Sequence, residues 1–417
     1  MEIKRDIYLQ KLISKKNNGL IKIITGIRRC GKSYLLSRLF KKHLLDEGIA
    51  QDHIIELALD DFANKKFRKP EELYNYIKSS IHDNDIHYVL LDEVQYAEEF
   101  EDVLNGFLHL ENADVYVTGS NSKFLSTDII TEFRGRGDEI NVFPLSFSEF
   151  KENYEISEDE ALKEFMYYGG LPFVRTIVDK GEKADYLSTV YKKVYLSDLI
   201  DRYGIKNEPE LEELIHILAS SIGSLTNPNK ISNTFKSVKK IDIPAVTLKS
   251  YIRALEESFM INGTIRYDIK GKKYISTPFK YFFTDLGLRN AILDFRQQEE
   301  AHLMENLIYN ELRIRGYQVD VGIVTENGKD KKGKSYRKQL EIDFIASKGY
   351  EKYYIQSAFS IPNESKMNQE KASLTKVNDS FEKIIIVKDS IIPYKNDDGI
   401  RIIGLVDFLN NKVSNNL

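Results

Sequence analysis

Residues 26–33 read GIRRCGKS. Gly26, Gly31, Lys32 and Ser33 satisfy the spacing G-x-x-x-x-G-K-[ST], which lets successive backbone N–H groups curl around phosphate oxygens. The glycines are required because that curl needs left-handed or crowded backbone. Lys32 supplies a flexible cation for the β- and γ-phosphates, and Ser33 a hydroxyl for Mg²⁺. Ile27, Arg28, Arg29 and Cys30 fill the loop, and Tyr34 follows it. Arg28 and Arg29 can touch phosphate or base, or pair with acids on a helix. The ligand this chemistry calls for is a nucleoside triphosphate with Mg²⁺. ATP is the expected nucleotide, since no guanine-reading N-K-x-D run accompanies the loop.

Such a loop works only between a strand and a helix. Leu20–Thr25 (LIKIIT) is a short β-branched run ending at Gly26. Residues 33–45 place Leu35, Leu36, Leu39 and Phe40 on one helical face. Further strands are expected at Ile54–Leu59, His87–Leu91, Asp114–Thr118 and Ile140–Phe143, with a helix from Pro70 to Ile81. This alternation predicts a parallel sheet covered by helices, an α/β P-loop fold. Ligands of such sheets bind at the carboxyl ends of the strands.

The His87–Leu91 run ends in Asp92–Glu93. An aspartate at that strand end can hold Mg²⁺, and the adjacent glutamate can act as general base on water. The spacing suggests that this strand neighbours the one leading into the glycine loop. Thr118, Ser120 and Asn121 close the next strand; a polar group there would sense the γ-phosphate or place the water. Arg134 and Arg136 follow, and a guanidinium can stabilise transition-state charge in its own subunit or in a neighbour's. Lys32, Glu93, Asn121 and Arg136 are the catalytic candidates, Ser33 and Asp92 the metal ligands, and residues 26–34 with Ser120 the nucleotide contacts. Cys30 is read either as a reactive thiol activated by nearby cations or as a small residue filling a tight loop.

GIRRCGKS, Asp92–Glu93, TGSNS (118–122), FRGRG (133–137), FPLSFSEF (143–150) and YGGLPFV (168–174) recur in an order that resembles a group of prokaryotic AAA+-type ATPases carrying a C-terminal domain of unknown function. The resemblance spans nearly the whole chain. It implies that Lys32 and Ser33 belong to Walker A, Asp92 and Glu93 to Walker B, and Ser120 or Asn121 to sensor 1. It also implies ATP binding and hydrolysis.

Residues 1–146 are therefore expected to form the AAA+-like core and 147–207 a helical lid. Residues 208–285 read as a winged-helix-like module: helices near Glu210–Ser221, Lys230–Val238 and Pro244–Met260, then a hairpin of Thr264–Ile269 and Lys273–Thr277. Val246, Tyr251, Ile252, Leu255 and Phe259 are expected to pack inward, with Thr247, Lys249, Ser250 and Arg253 outward. Lys270, Lys272 and Lys273 make the hairpin basic, suited to duplex DNA or to a protein contact. Residues 286–417 resemble the restriction-endonuclease-like core. Helix Ala301–Arg315 carries Glu305, LEIDFIA (340–346) carries Asp343, and KYYIQSAFS (352–360) follows. Those nucleases use Glu-x-Lys on that last strand. Gln356–Ser357–Ala358 stands here, which neither binds Mg²⁺ well nor activates water. An inactive nuclease-like domain is expected. Residues 325–339 read as a solvated loop.

The chain has 417 residues, a formal charge of −4 and a single cysteine. There is no general basic field for nucleic acid and no intrachain disulfide. No apolar run suits a membrane span, and the expected location is cytoplasmic. Two function classes compete: a nucleotide-gated switch that binds a protein partner, and a DNA-stimulated ATPase. An active nuclease ranks third.

Overall fold

Five short strands of the computed structural model, β1 (Ile21–Thr25), β2 (Ile54–Ala58), β3 (His87–Asp92), β4 (Ala113–Thr118) and β5 (Gly137–Asn141), pair in parallel in the order β2-β3-β4-β1-β5. The structure describes residues 3–119, 135–239, 241–329 and 335–410. These divide into two units, Met1–Pro144 with Glu257–Met260, and Leu145–Glu256 with Ile261–Leu417. The five-stranded sheet belongs to the first.

Every residue of β1 and β3 is buried, as expected for strands covered by helices on both faces. Leu35, Leu36, Leu39 and Phe40 are buried as the periodicity predicted, and Phe40 packs on Tyr116 with ring centroids 4.5 Å apart. On the other face, Leu73 and Ile77 of helix Pro70–Ser80 and Val103, Leu104 and Phe107 of helix Phe100–Phe107 close the core. One residue in the β1 run breaks the apolar pattern. Lys22 is fully buried and ion-pairs with Asp114 of β4. Its ammonium also lies 4.8 Å from the centre of the Tyr116 ring. Burial lowers the Lys22 pKa, and the Asp114 hydrogen bond works against that shift.

Two expectations are corrected here. The strand bearing Asp92 does not neighbour β1: β4 lies between them, with Lys22 opposite Tyr116 on one side and Leu90 opposite Tyr116 on the other. The last strand begins at Gly137 and ends at Asn141, earlier than the Ile140–Phe143 expected, because Ile21–Thr25 pair with Gly137–Asn141 residue by residue. Hydrophobicity marked only its buried end.

The second unit is built on a mixed sheet of β6 (Leu225–Thr226), β7 (Ile261–Asp268), β8 (Lys273–Phe283), β9 (Gln318–Lys329), β10 (Ser335–Lys348), β11 (Glu351–Ala358), β12 (Glu382–Val387), β13 (Tyr394–Lys395) and β14 (Arg401–Gly404). Among the described residues its order is β13-β14-β12-β11-β10-β9-β7-β8-β6. Residues 325–329 and 335–339 are strand rather than loop. β9 and β10 pair there as an antiparallel ladder, from Ser335 opposite Lys329 to Gln339 opposite Thr325. Its residues are polar because the ladder is solvated, and solvation alone does not separate a strand from a loop. The basic hairpin also joins this sheet. Arg266, Tyr267 and Asp268 of β7 pair in parallel with Val321, Gly322 and Ile323 of β9. In helix Ala245–Glu257, Leu248, Tyr251, Ile252, Ala254 and Leu255 are buried, whereas Val246 is 77% exposed, against the inward packing expected. It lies in the first turn, where the apolar stripe has not yet met a neighbour.

The YGGLP run has a structural role. Asp285, buried before helix Leu286–Ile292, accepts from the Gly170 N–H at 2.7 Å and the Leu288 N–H at 2.9 Å. A Cβ on Gly287 would sit 2.0 Å from the Tyr168 carbonyl oxygen. Only glycine permits that approach.

Candidate functional site

β1 delivers the chain to the glycine loop, and helix 32–46 leads away from it. Gly26 has φ 138°, and a Cβ there would lie 2.1 Å from the Val142 carbonyl oxygen. Arg29 (φ 62°) and Gly31 (φ 99°) are also left-handed. Such alternation turns consecutive N–H groups toward one point and forms an anion nest. Ile27 is buried, Arg28 is half-buried, and Arg29, Ser33 and Tyr34 reach the surface. Lys32 is buried and donates to the carbonyl oxygens of Gly26 (2.9 Å) and Ile27 (3.2 Å). Its ammonium therefore lies against the loop that phosphates would occupy.

Across β4, Asp92 sits at the end of β3 and is buried. The Thr118 hydroxyl, at the end of β4, donates to Asp92 Oδ1 and accepts from the Glu93 N–H at 2.9 Å. The Ser33 hydroxyl lies close enough to the Asp92 carboxylate to favour its charged form. Burial pushes the Asp92 pKa up, and the Thr118 and Ser33 hydroxyls oppose it. A carboxylate and a hydroxyl brought together this way are hard oxygen ligands, a donor set that fits Mg²⁺. A cation there would favour the ionised carboxylate. Glu93 has φ 52°, which is uncommon for a residue with a side chain and costs of order 1–3 kcal/mol. Its carboxylate accepts from the Gln95 side-chain amide. Backbone strain is thus held at the proposed general base.

Thr118 is the member of the strand-end cluster that the structure describes, and it bonds both Asp92 and Glu93. Ser120, Asn121 and Arg134 lie outside the described residues. Arg136 is exposed, and its carbonyl accepts from the Ile21 N–H at 3.0 Å. It therefore stands at the amino end of β1, roughly 16 Å along the strand from Gly26. A guanidinium at that end does not reach its own phosphate loop, so the same-subunit alternative for Arg136 is set aside. Action on a neighbouring copy is the form of that role left open.

The reactive-thiol reading of Cys30 is also corrected. The thiol is buried and donates to the Val142 carbonyl oxygen at 3.3 Å. Arg5 Nη1 caps the Cys30 carbonyl oxygen at 2.9 Å. A thiol walled off in this way is inert. Iodoacetamide is expected to label the native protein at least ~10-fold more slowly than the urea-unfolded chain, because reagent must wait for the loop to open. Equal rates by mass spectrometry would show that the thiol is open.

A second polar cluster lies in the other unit. Asp343 of β10 faces β11 beside Gln356 and Ala358, and its Oδ2 accepts from the Ser357 N–H at 2.8 Å. Glu305 projects from helix Glu300–Ile314. Sequence reasoning missed the residue that joins these acids. Lys280 of β8 is buried, with its ammonium 2.8 Å from Glu305, 2.7 Å from Glu341 and 3.8 Å from Asp343. Burial opposes its charge, but the three carboxylates together raise its pKa. The signal available beforehand was a lysine inside an otherwise aromatic strand (TPFKYFF).

The parallel order and the glycine loop define the first unit as a P-loop domain of the AAA+ type, the fold of nucleotide-binding proteins. A family model described as AAA domain matches residues 18–151, and one described as a domain of unknown function (DUF8612) matches residues 159–299. The chain belongs to the family that joins these two domains. It is 35% identical to an uncharacterized protein of Haemophilus influenzae over 98% of both chains. It is 28% identical to an uncharacterized protein of Methanocaldococcus jannaschii over 97% of this chain and 88% of that one. Among solved structures it is similar to the Aeropyrum pernix Orc1 protein in complex with DNA, at 12% identity and a TM-score of 0.31, covering 73% of this chain and 94% of that one. No helix among the described residues is long and apolar enough to cross a membrane.

Proposed function

We propose that this chain binds Mg·ATP in the 26–34 loop and hydrolyses it to switch the binding state of a partner. The convergence of Ser33, Asp92 and Thr118 beside Lys32 is the observation that carries this reading. The loop N–H groups from Gly26 to Ser33, with Arg28, Arg29 and Tyr34 at the rim, hold and orient the phosphates. Ser33 and Asp92 hold Mg²⁺, which neutralises phosphate charge when bound. Lys32 exchanges its two carbonyl partners for phosphate oxygens. Glu93, fixed by Gln95 and by the Thr118 bond to its backbone, accepts the proton of the attacking water. Ser120 or Asn121 senses the γ-phosphate, and Arg136 completes the site of an adjoining copy. In this reading residues 1–146 are the ATPase core, 147–207 a lid, 208–285 a winged helix and 286–417 a nuclease-like fold.

Duplex DNA as the partner is a second reading with its own support. Helix Glu208–Ser220, β6, helix Pro228–Thr234, helix Ala245–Glu257, β7 and β8 follow in winged-helix order, and β6 pairs with β8. Lys249, Arg253, Lys270, Lys272 and Lys273 are exposed on its third helix and hairpin. Nuclease activity is disfavoured by Gln356 and Ala358, and further by Lys280 standing among the acids. ATP turnover measured with and without duplex DNA at low and moderate salt separates the readings. A protein-directed switch is expected to be indifferent to DNA. A rise of about tenfold or more that fades with salt favours the DNA-directed enzyme. Absence of turnover under every condition would remove both.

A further inference from the structure

We propose a divalent transition-metal site of the zinc type at the amino ends of β2 and β3, formed by His53, His82, His87 and Asp83. The chain has seven histidines. Three of them meet here, and one donor atom from each of the four residues lies within 4.8 Å of the others. The sheet forces the meeting. Ile54 pairs with Tyr88 in parallel register, so His53 and His87 enter side by side, with rings 4.4 Å apart. The turn after helix Pro70–Ser80 then brings His82 and Asp83 over them.

The surrounding acceptors set the ring tautomers. A carbonyl oxygen can only accept, so His87 Nδ1, 3.0 Å from the Asp85 carbonyl oxygen, carries a proton and leaves Nε2 a lone pair. By the same logic both His53 nitrogens donate, Nδ1 to Asp52 Oδ1 at 3.1 Å and Nε2 to Asp83 Oδ2 at 3.1 Å, so a metal on Nε2 displaces the proton there and keeps the Asp52 contact. These are the outer contacts that metal-ligating histidines use to fix orientation and raise basicity. Asp83 Oδ1 is engaged by the Asp85 N–H at 2.9 Å, while Oδ2 lies 3.1 Å from His53 Nε2. His87 Nε2 lies 3.2 Å from His82 Nδ1. Ligands on bonds of about 2.0–2.1 Å around tetrahedral Zn²⁺ stand about 3.3–3.4 Å apart, close to both separations. His82 Nδ1 is also 3.2 Å from the Ser80 carbonyl oxygen. Ligation through Nδ1 moves that proton to Nε2, which faces the Asp83 and Asp52 carboxylates at 3.6 and 3.8 Å. His87 is fully buried, whereas His82 and Asp83 are solvent-exposed, so an ion can enter and the two outer ligands can rotate to close on it.

Three imidazoles and one carboxylate suit Zn²⁺, Co²⁺ or Ni²⁺ and disfavour Mg²⁺. The site also stands at the opposite end of the strands from the glycine loop. Binding here would clip the 81–86 turn to two core strands and stabilise the first unit by mass action. The test is calorimetric titration of the chelator-treated, tag-free full chain with ZnCl₂ in excess Mg²⁺, repeated with His82→Gln and Asp83→Asn. Both positions are exposed, so both variants are expected to fold. One Zn²⁺ per chain is expected, with affinity falling at least ~10-fold in each variant, and Co²⁺ should give a tetrahedral visible spectrum that both variants lose. No saturable Zn²⁺ binding, or affinity changed less than ~3-fold in the variants, overturns the site.

Discussion

Lys32→Ala is expected to lower ATP turnover by at least about a hundredfold, the size of effect seen when one preorganised charge or donor is removed from a reacting oxygen. The ammonium is buried and held by the Gly26 and Ile27 carbonyl oxygens, so it is already at the loop and pays little reorganisation to meet phosphate. Its loss also leaves those two carbonyls without their cation, a stability cost of about 1–3 kcal/mol. The measurement is phosphate release at saturating Mg·ATP, alongside thermal unfolding without nucleotide. A folded variant with parental turnover would refute the proposed site. Glu93→Gln is the informative partner to this variant. It removes the base and keeps the cradle, so it should slow release while retaining bound ATP.

Lys280→Ala should destabilise the second unit by about 3–5 kcal/mol, the usual cost of removing one member of a buried ionic cluster. Glu305, Glu341 and Asp343 would then face one another with no cation between them. Burial already pushes both the Asp343 and the Glu305 carboxyls up, Asp343 to about 8. The same three oxygen donors form a hard-ligand set. Added Mg²⁺ or Mn²⁺ should therefore raise the unfolding temperature of the variant more than that of the parent. Plasmid DNA should stay intact in both, since no lysine or glutamate replaces Ala358 or Gln356. A variant as stable as the parent, or cation effects identical in the two, would show that the Lys280 ammonium does not neutralise this cluster.

The phosphate loop was legible because its requirements are local. A β-branched run, glycines at fixed spacing and a helical apolar face all lie within about 25 consecutive residues, and each acts on its own backbone. Asp92–Glu93 was legible for a related reason, since a strand end is marked by the change from apolar to acidic. The neighbour of that strand was not. Which strands pair depends on contacts across the whole unit, and β4 inserts between β1 and β3 without any mark in its sequence. That insertion brings Thr118 to Asp92 and Glu93. The polar end of the β9–β10 ladder reads as a loop in the sequence because a solvated strand lacks the apolar alternation that identifies a half-buried one. The helical stripe puts Val246 inward because it says which residues share a face and not where the neighbour begins.

Residue types and their spacing set the class of chemistry: amides, an ammonium and a hydroxyl spaced for a triphosphate, and an acid pair at a strand end. They also excluded a competent Glu-x-Lys nuclease strand, because Gln356 and Ala358 lack the needed groups wherever they fall. Tertiary structure alone decided which distant side chains share a site. Lys280 reaches acids from two other elements, His53 and His87 meet through parallel register, and Arg136 is carried to the wrong end of its sheet for its own loop. Strand pairing sets these placements over tens to hundreds of residues, where spacing along the chain carries no distance information.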